Sequence, residues 1–97
     1  MLLFYDVPMQ ERSERRSYAR FRAALKKIGF LAMQESVYVK LLRNRSLAAE
    51  TIKEVSASAP DGNVSVLTLP LSEFRQLRAL RGTPFNMAAF SDDILYL

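Results

Sequence analysis

A run of four apolar residues, Leu2-Leu3-Phe4-Tyr5, halted by Asp6-Val7-Pro8, sets the first condition on how this chain folds. A short apolar run bounded by a breaker reads as a strand buried in a sheet. Pro8 has no N–H to give to a ladder, so it fixes where pairing must stop. Asp6 therefore sits at the carboxyl end of a strand, at the edge of the core, where ligands and metals are commonly held. Directly afterwards the chain turns cationic, through Glu11-Arg12-Ser13-Glu14-Arg15-Arg16-Ser17-Tyr18-Ala19-Arg20-Phe21-Arg22. One acid beside a dense basic surface points to a polyanionic partner, most simply nucleic acid with a divalent cation.

The 97 residues make one domain, 1–97, with no room for a second. Hydrophobic residues reach 49% with only 3 Gly and 4 Pro, so the chain supports a core and leaves apolar surface for an oligomer interface. Cys and His are both absent. Thiol chemistry, thiolate metal sites and the commonest general base are thereby excluded. Any chemistry must rest on Asp, Glu, Tyr, Ser, Lys or Arg, with a hard, oxygen-liganded cation such as magnesium. No stretch approaches the ~20 apolar residues of a membrane span, and Met1-Leu2-Leu3 lacks signal-peptide character. A cytoplasmic protein with no membrane partner is expected. The net charge of +4 is a mild indication of anionic partners, and its distribution matters more.

Patterning predicts a strand from Leu2 to Val7 and a helix from Ser13 to Ile28, with Ser13 as N-cap and Gly29 as its C′ residue. Tyr18, Phe21, Leu25 and Ile28 form its buried stripe. Phe30 to Leu42 reads as one bent strand or two, divided at Gln34-Glu35-Ser36. A second helix runs from a Ser46 cap through Ala57, with Leu47, Ile52 and Val55 inward. Pro60-Asp61-Gly62-Asn63 is a turn. A strand from Val64 to Leu69, a helix or helical turn from Ser72 to Leu80, a turn at Gly82-Thr83-Pro84, a turn at Asp92-Asp93 and a strand from Ile94 to Leu97 complete the chain. The expected class is α+β, a ferredoxin-like β-α-β-β-α-β antiparallel sheet with helices on one face. The C-terminal strand is expected to be exchanged in a homodimer, because an apolar lone edge is an aggregation hazard. That fold alone assigns no function.

On the first helix at ~100° per residue, Arg15, Arg22 and Lys26 flank the buried stripe, and Arg16, Arg20 and Lys27 form a second row. Ala19 and Ala23 lie between the rows and leave room for a phosphate backbone. An ordinary solvated helix face is the competing reading. Against it, every charged residue after Glu14 in this helix is positive, so no acid relieves the repulsion at i+4. Lys40, Arg43 and Arg45 follow the central strand, and Arg75, Arg78 and Arg81 recur every three residues. Both sets extend the basic surface or simply solubilise it. Asp6 is either a capping acid or a magnesium ligand. One carboxylate is a poor site, whereas a symmetric dimer would bring two Asp6 side chains together.

Leu3-Phe4-Tyr5-Asp6-Val7-Pro8, the Glu14–Arg22 segment, Gly29-Phe30 and Met33-Gln34-Glu35-Ser36-Val37-Tyr38 together resemble one family. It is the small CRISPR-associated protein of spacer acquisition, and the match runs from Leu2 to about Leu42. The resemblance implies a homodimer with exchanged terminal strands, set between dimers of the CRISPR integrase on double-stranded DNA. It also implies a metal-dependent endonuclease acting on RNA or DNA, with Asp6 as catalytic and metal residue and magnesium or another divalent cation shared between two Asp6. Tyr5 and Tyr38 match aromatic positions near that site, and Arg20 a basic position on the first helix. Glu35 departs from the pattern, where an aromatic residue or Leu is expected. A DNA-holding scaffold leads; a magnesium-dependent nuclease and a toxin-like endoribonuclease acting without the integrase stand as alternatives. A ferredoxin-like RNA-recognition module ranks last, because Val64-Ser65-Val66-Leu67 lacks interleaved aromatic and basic residues.

Overall fold

The computed structural model describes residues 1–86 and 96–97. The elements follow in the order β1 (Leu2–Asp6), α1 (Arg12–Ile28), β2 (Leu31–Gln34), β3 (Val37–Val39), α2 (Leu47–Ser58), β4 (Asn63–Leu67) and α3 (Leu71–Phe74). Among the described residues, four strands form one sheet in the order β2-β3-β1-β4. β1 pairs antiparallel with β3, Leu3 opposite Tyr38, and with β4, Leu2 opposite Leu67 and Asp6 opposite Asn63. The β2–β3 hairpin turns at Glu35-Ser36, with a register irregularity between Ala32 and Gln34. This is the expected α+β, ferredoxin-like arrangement, and the segment from Phe30 to Leu42 is two strands rather than one.

The sheet separates two sets of apolar residues, as strand alternation requires. Met1, Leu3, Tyr5 and Tyr38 point to the helical side, where they meet Phe21 and Leu25 of α1 and Val55 of α2. Leu2 and Val39 point the other way, into a second cluster with Leu71, Phe74 and Leu97. The α1 stripe is as expected: Phe21 and Leu25 are fully buried, and Tyr18 and Ile28 pack partly buried beside them. Gly29 closes the helix with a φ of 115°, its N–H reaching Leu25 O at 3.1 Å, while Phe30 N also bonds Leu25 O at 2.9 Å. Both bonds take up the Leu25 carbonyl, and Gly29 N also reaches Lys26 O at 3.2 Å, so neither carbonyl at the helix end is left orphaned.

Several boundaries differ from the expectation. Helix α1 starts at Arg12, not after a Ser13 cap. Glu11 is its N-cap, because Glu14 Oε1 reaches back to accept from Glu11 N at 2.9 Å. Strands β1, β3 and β4 end at Asp6, Val39 and Leu67. On α2 the inward residues are Ala48, Thr51 and Val55, whereas Leu47 and Ile52 are about two-fifths exposed, at 40% and 41%. An Ala/Thr/Val stripe lets α2 approach closely, and the Thr51 hydroxyl satisfies itself on Leu47 O at 3.0 Å. Ser46 stands at the N-cap position, but its hydroxyl turns to Asn44 Oδ1.

The expected helix from Ser72 to Leu80 is a single turn, Leu71–Phe74. Leu71 and Phe74 are buried, but Leu77 is 48% and Leu80 95% exposed, so no continuous stripe holds further turns against the sheet. Arg75, Arg78 and Arg81 consequently do not share a helical face. Of the expected strand from Ile94 to Leu97, Tyr96 and Leu97 are described. Tyr96 N and O bond Leu42 O and N at 3.2 and 2.8 Å, and Leu97 N bonds Leu69 O at 2.9 Å, all within one chain. Ile94, Leu95 and the expected Asp92-Asp93 turn lie outside the described residues.

Candidate functional site

Asp6 is the last residue of β1 and is exposed. It shares with Phe4 the sheet side opposite the two long helices, since Tyr5 between them is buried beneath α1. The Leu71/Phe74 cluster covers that side around Leu2 and Val39, but Phe4 is 41% and Leu67 52% exposed. The acid thus stands at the border of an open sheet face. Its backbone is fixed from behind by the turn before β4. Gly62 adopts a φ of 122°, and a Cβ on it would lie 2.8 Å from Asp6 O and 2.9 Å from Val7 Cα. Only glycine fits there without displacing the strand end. Nothing in the local sequence of β1 announces this support, because it arrives from a turn more than fifty residues away.

Next to Asp6, Tyr5 points inward to a group of three tyrosines. Its ring centroid lies 5.4 Å from that of Tyr18 and 5.8 Å from that of Tyr38. The Tyr5 hydroxyl donates to the carbonyl oxygen of Glu35 and also bonds the Tyr18 hydroxyl. Burial, and then the bond to Tyr18, push the Tyr5 phenol well above the usual range. Tyr5 therefore stays protonated and positions neighbours instead of accepting protons. Glu35 takes part through its backbone carbonyl. Arg22 lies over the Tyr18 ring, 5.6 Å from its centroid, and hydrogen bonding with Tyr38 raises its guanidinium further above its ordinary value.

The basic residues separate into committed and uncommitted ones. The guanidinium of Arg15 donates to Gln10 O at 2.6 Å and Met9 O at 3.3 Å, fastening the loop before α1. Arg16 and Lys27 are exposed along α1. Arg20 lines a cleft of about 300 Å³ with Val7, Pro8, Ser17 and Asp61, beside the end of β1. The stem of Lys40 runs past Gly29, and its charge adds to burial in lowering the Met1 amine to about 5. Arg43, Arg75 and Arg78 are exposed, Arg43 between β3 and α2 and the other two in the segment that follows α3.

Among the described residues, no group of three or more His, Cys, Asp or Glu side chains is placed to hold a metal. The Asp6 carboxylate is the hard oxygen donor that magnesium prefers, yet magnesium is usually carried by one or two carboxylates with several waters. One chain offers one such group at this position, so the donor type fits while the donor count calls for a second copy. No helix among the described residues is long and apolar enough to cross a membrane.

Residues 1–78 match the family model described as CRISPR associated protein Cas2. A protein of Streptococcus mutans serotype c (strain NN2025), named CRISPR-associated endoribonuclease Cas2, is 35% identical over 96 residues, covering 98% of this chain and 90% of its own length. Its namesake in Acidovorax ebreus (strain TPSY) is 34% identical over 85 residues, covering 87% and 83%. Another, in Treponema denticola, is 31% identical over 83 residues, covering 84% and 82%.

Proposed function

This chain belongs to the CRISPR-associated Cas2 family, and from that we propose that it serves spacer acquisition as a homodimeric scaffold holding double-stranded DNA for the CRISPR integrase. The observation that carries the proposal is the helix α1, whose charged residues after Glu14 are all positive and whose Arg16, Arg20 and Lys27 are exposed. Such a row repels itself until an anion neutralises it, and duplex DNA supplies regularly spaced phosphates. The 97 residues act as one cytoplasmic domain in this reading. The half-open sheet face bearing Phe4, Leu67 and Asp6 is where a second copy docks, with terminal strands exchanged between subunits.

The same dimer gives Asp6 a role as catalytic and metal residue. Two copies would set two Asp6 carboxylates about one divalent cation, magnesium by donor type. Bound there, the cation would polarise a phosphodiester and activate water. Tyr5 and Tyr38 hold the strand end and hairpin in place, and neither is needed as a base. So few protein ligands suit weak or conditional hydrolysis of RNA or DNA. A second reading, a metal-dependent endoribonuclease acting without the integrase, is favoured by the names of the relatives and by the exposure of Asp6.

Co-purification with the integrase subunit in the presence of duplex DNA separates the two. A stable three-component complex that survives Asp6→Asn supports the scaffold. A chain that ignores integrase and duplex at low salt yet cleaves RNA with magnesium overturns it in favour of the ribonuclease.

A further inference from the structure

Arg22 divides a trough between α1 and the β2 edge. On one side lies a cavity of about 440 Å³ floored by Ala19, Ala23, Leu31 and Ala32 and bordered by Lys26. On the other lies one of about 350 Å³ reaching Met9 and Gln34. Arg22, Ala32 and Tyr38 belong to both. The larger floor is apolar, and no acid lines it. Its two charges, Arg22 and Lys26, are one helical turn apart on the same face of α1.

We propose that this trough binds unpaired nucleotides, a base stacked on the side of Arg22 away from Tyr18, with phosphates on Arg22 and Lys26. The proposal rests on the nucleic-acid reading above and assigns single strands a place of their own. Duplex DNA keeps its bases stacked inside and presents phosphates and groove edges, not base faces, to an apolar floor. An unpaired base, in contrast, offers a flat apolar face, and guanidinium planes are common stacking partners for it. Arg22 is held over the Tyr18 ring, 5.6 Å from its centroid, which lowers the entropy of ordering it on a base. An acidic, apolar peptide would complement the same charges, but it has no flat face to lay on a guanidinium.

The smaller cavity also includes Tyr18 and Glu35, to which Tyr5 is hydrogen bonded. Tyr5 is next to Asp6 in the chain. The smaller cavity thus lies at the end of the sheet that carries Asp6, with the acid itself on the opposite face.

Ala32 is exposed and lines both cavities, so lengthening it fills the trough without touching the core, the α1 rows or the charge. The test is a short oligouridylate carrying one 2-aminopurine, titrated with the full-length chain and with Ala32→Gln, alongside a labelled duplex. Wild type should quench the fluorophore by stacking, and the variant should lose the quench and bind the single strand about tenfold more weakly or worse. Duplex affinity and salt slope should be unchanged in Ala32→Gln, and Arg22→Ala should weaken the single strand comparably. Wild-type quench and affinity in Ala32→Gln, with duplex binding intact, would overturn the trough and leave the scaffold standing. Equal loss of single and double strands would make the trough part of the duplex path and overturn the assignment. Loss of integrase association alone would mark it as a protein dock and overturn the assignment equally. A wild-type chain that binds neither nucleic acid would refute the scaffold itself, and the trough with it.

Discussion

Asp6 and Gly62 meet only in the folded chain, and each tests the other. In Asp6→Asn the shape and most of the hydrogen-bonding capacity remain, while the charge a cation needs is gone. With no His or Cys in the chain, there is no substitute ligand or base of those types. Magnesium-stimulated cleavage should therefore vanish in this variant, while circular dichroism, dimer mass and duplex affinity stay at wild-type values. Cleavage persisting in pure Asp6→Asn protein would place the chemistry elsewhere. Gly62→Ala makes the opposite demand. Its Cβ meets backbone atoms of Asp6 and Val7 at 2.8 and 2.9 Å, at a φ that side chains avoid. A loss of about 1–3 kcal/mol is expected from strain of this kind. Urea denaturation would measure it, and an unaltered midpoint would show that the turn is not tied to the strand end. The importance of Asp6 is legible from its place before Pro8, but that of Gly62 is not. A turn glycine looks the same in sequence whether it faces water or another backbone.

Elements with strong periodicity are legible in the sequence, and ambiguous ones are not. Phe21 and Leu25 stand out on α1 because their surroundings are Arg, Lys and Ala. On α2 most positions are apolar or small, so several faces compete; Val55 is inward as expected, but size favours Leu47 and Ile52 where packing selects Ala48 and Thr51. A short helix or helical turn is legible from Ser72 to Leu80, but its helical part stops at Phe74, and Leu77 and Leu80 stay exposed. The arginines suffer the same ambiguity: sequence ranks Arg15, Arg16 and Arg20 alike, whereas Arg15 is fastened to Met9 and Gln10 carbonyls. If Arg16 and Arg20 neutralise phosphates, the double variant Arg16→Ala/Arg20→Ala should flatten the logarithmic salt dependence of duplex binding by about 0.9 per lost contact. Affinity should fall alike on every sequence, because phosphates carry no base information. An unchanged slope, measured by fluorescence anisotropy across salt concentrations, would return α1 to an ordinary solvated face.

For the molecule as a unit, the decisive question is what completes the second side of the sheet. Leu97 is fully buried against Val39 and Leu71, so the last residues contribute to a core as well as to any partner. Deleting residues 92–97 should lower thermal stability and, if terminal strands are exchanged, also shift light-scattering mass toward the monomer at micromolar concentration. A destabilised chain with undiminished dimer mass would mean that the tail serves its own subunit only. The open half, with Phe4 and Leu67, would then hold the dimer alone.

The position of β1 also governs the order of events during synthesis. It leaves the ribosome before both of its neighbours, β3 and β4, and Leu2 must wait for Leu67. Chains emerge at roughly 5–20 residues per second, so Leu2-Leu3-Phe4-Tyr5 spends seconds without a ladder on either side. During that interval α1 is the one element available to shelter Leu3 and Tyr5, through Phe21 and Leu25. Pairings this distant slow folding and prolong exposure of unpaired strands. The arginines of α1 emerge next to this apolar segment, and like charge of this kind disfavours association between chains.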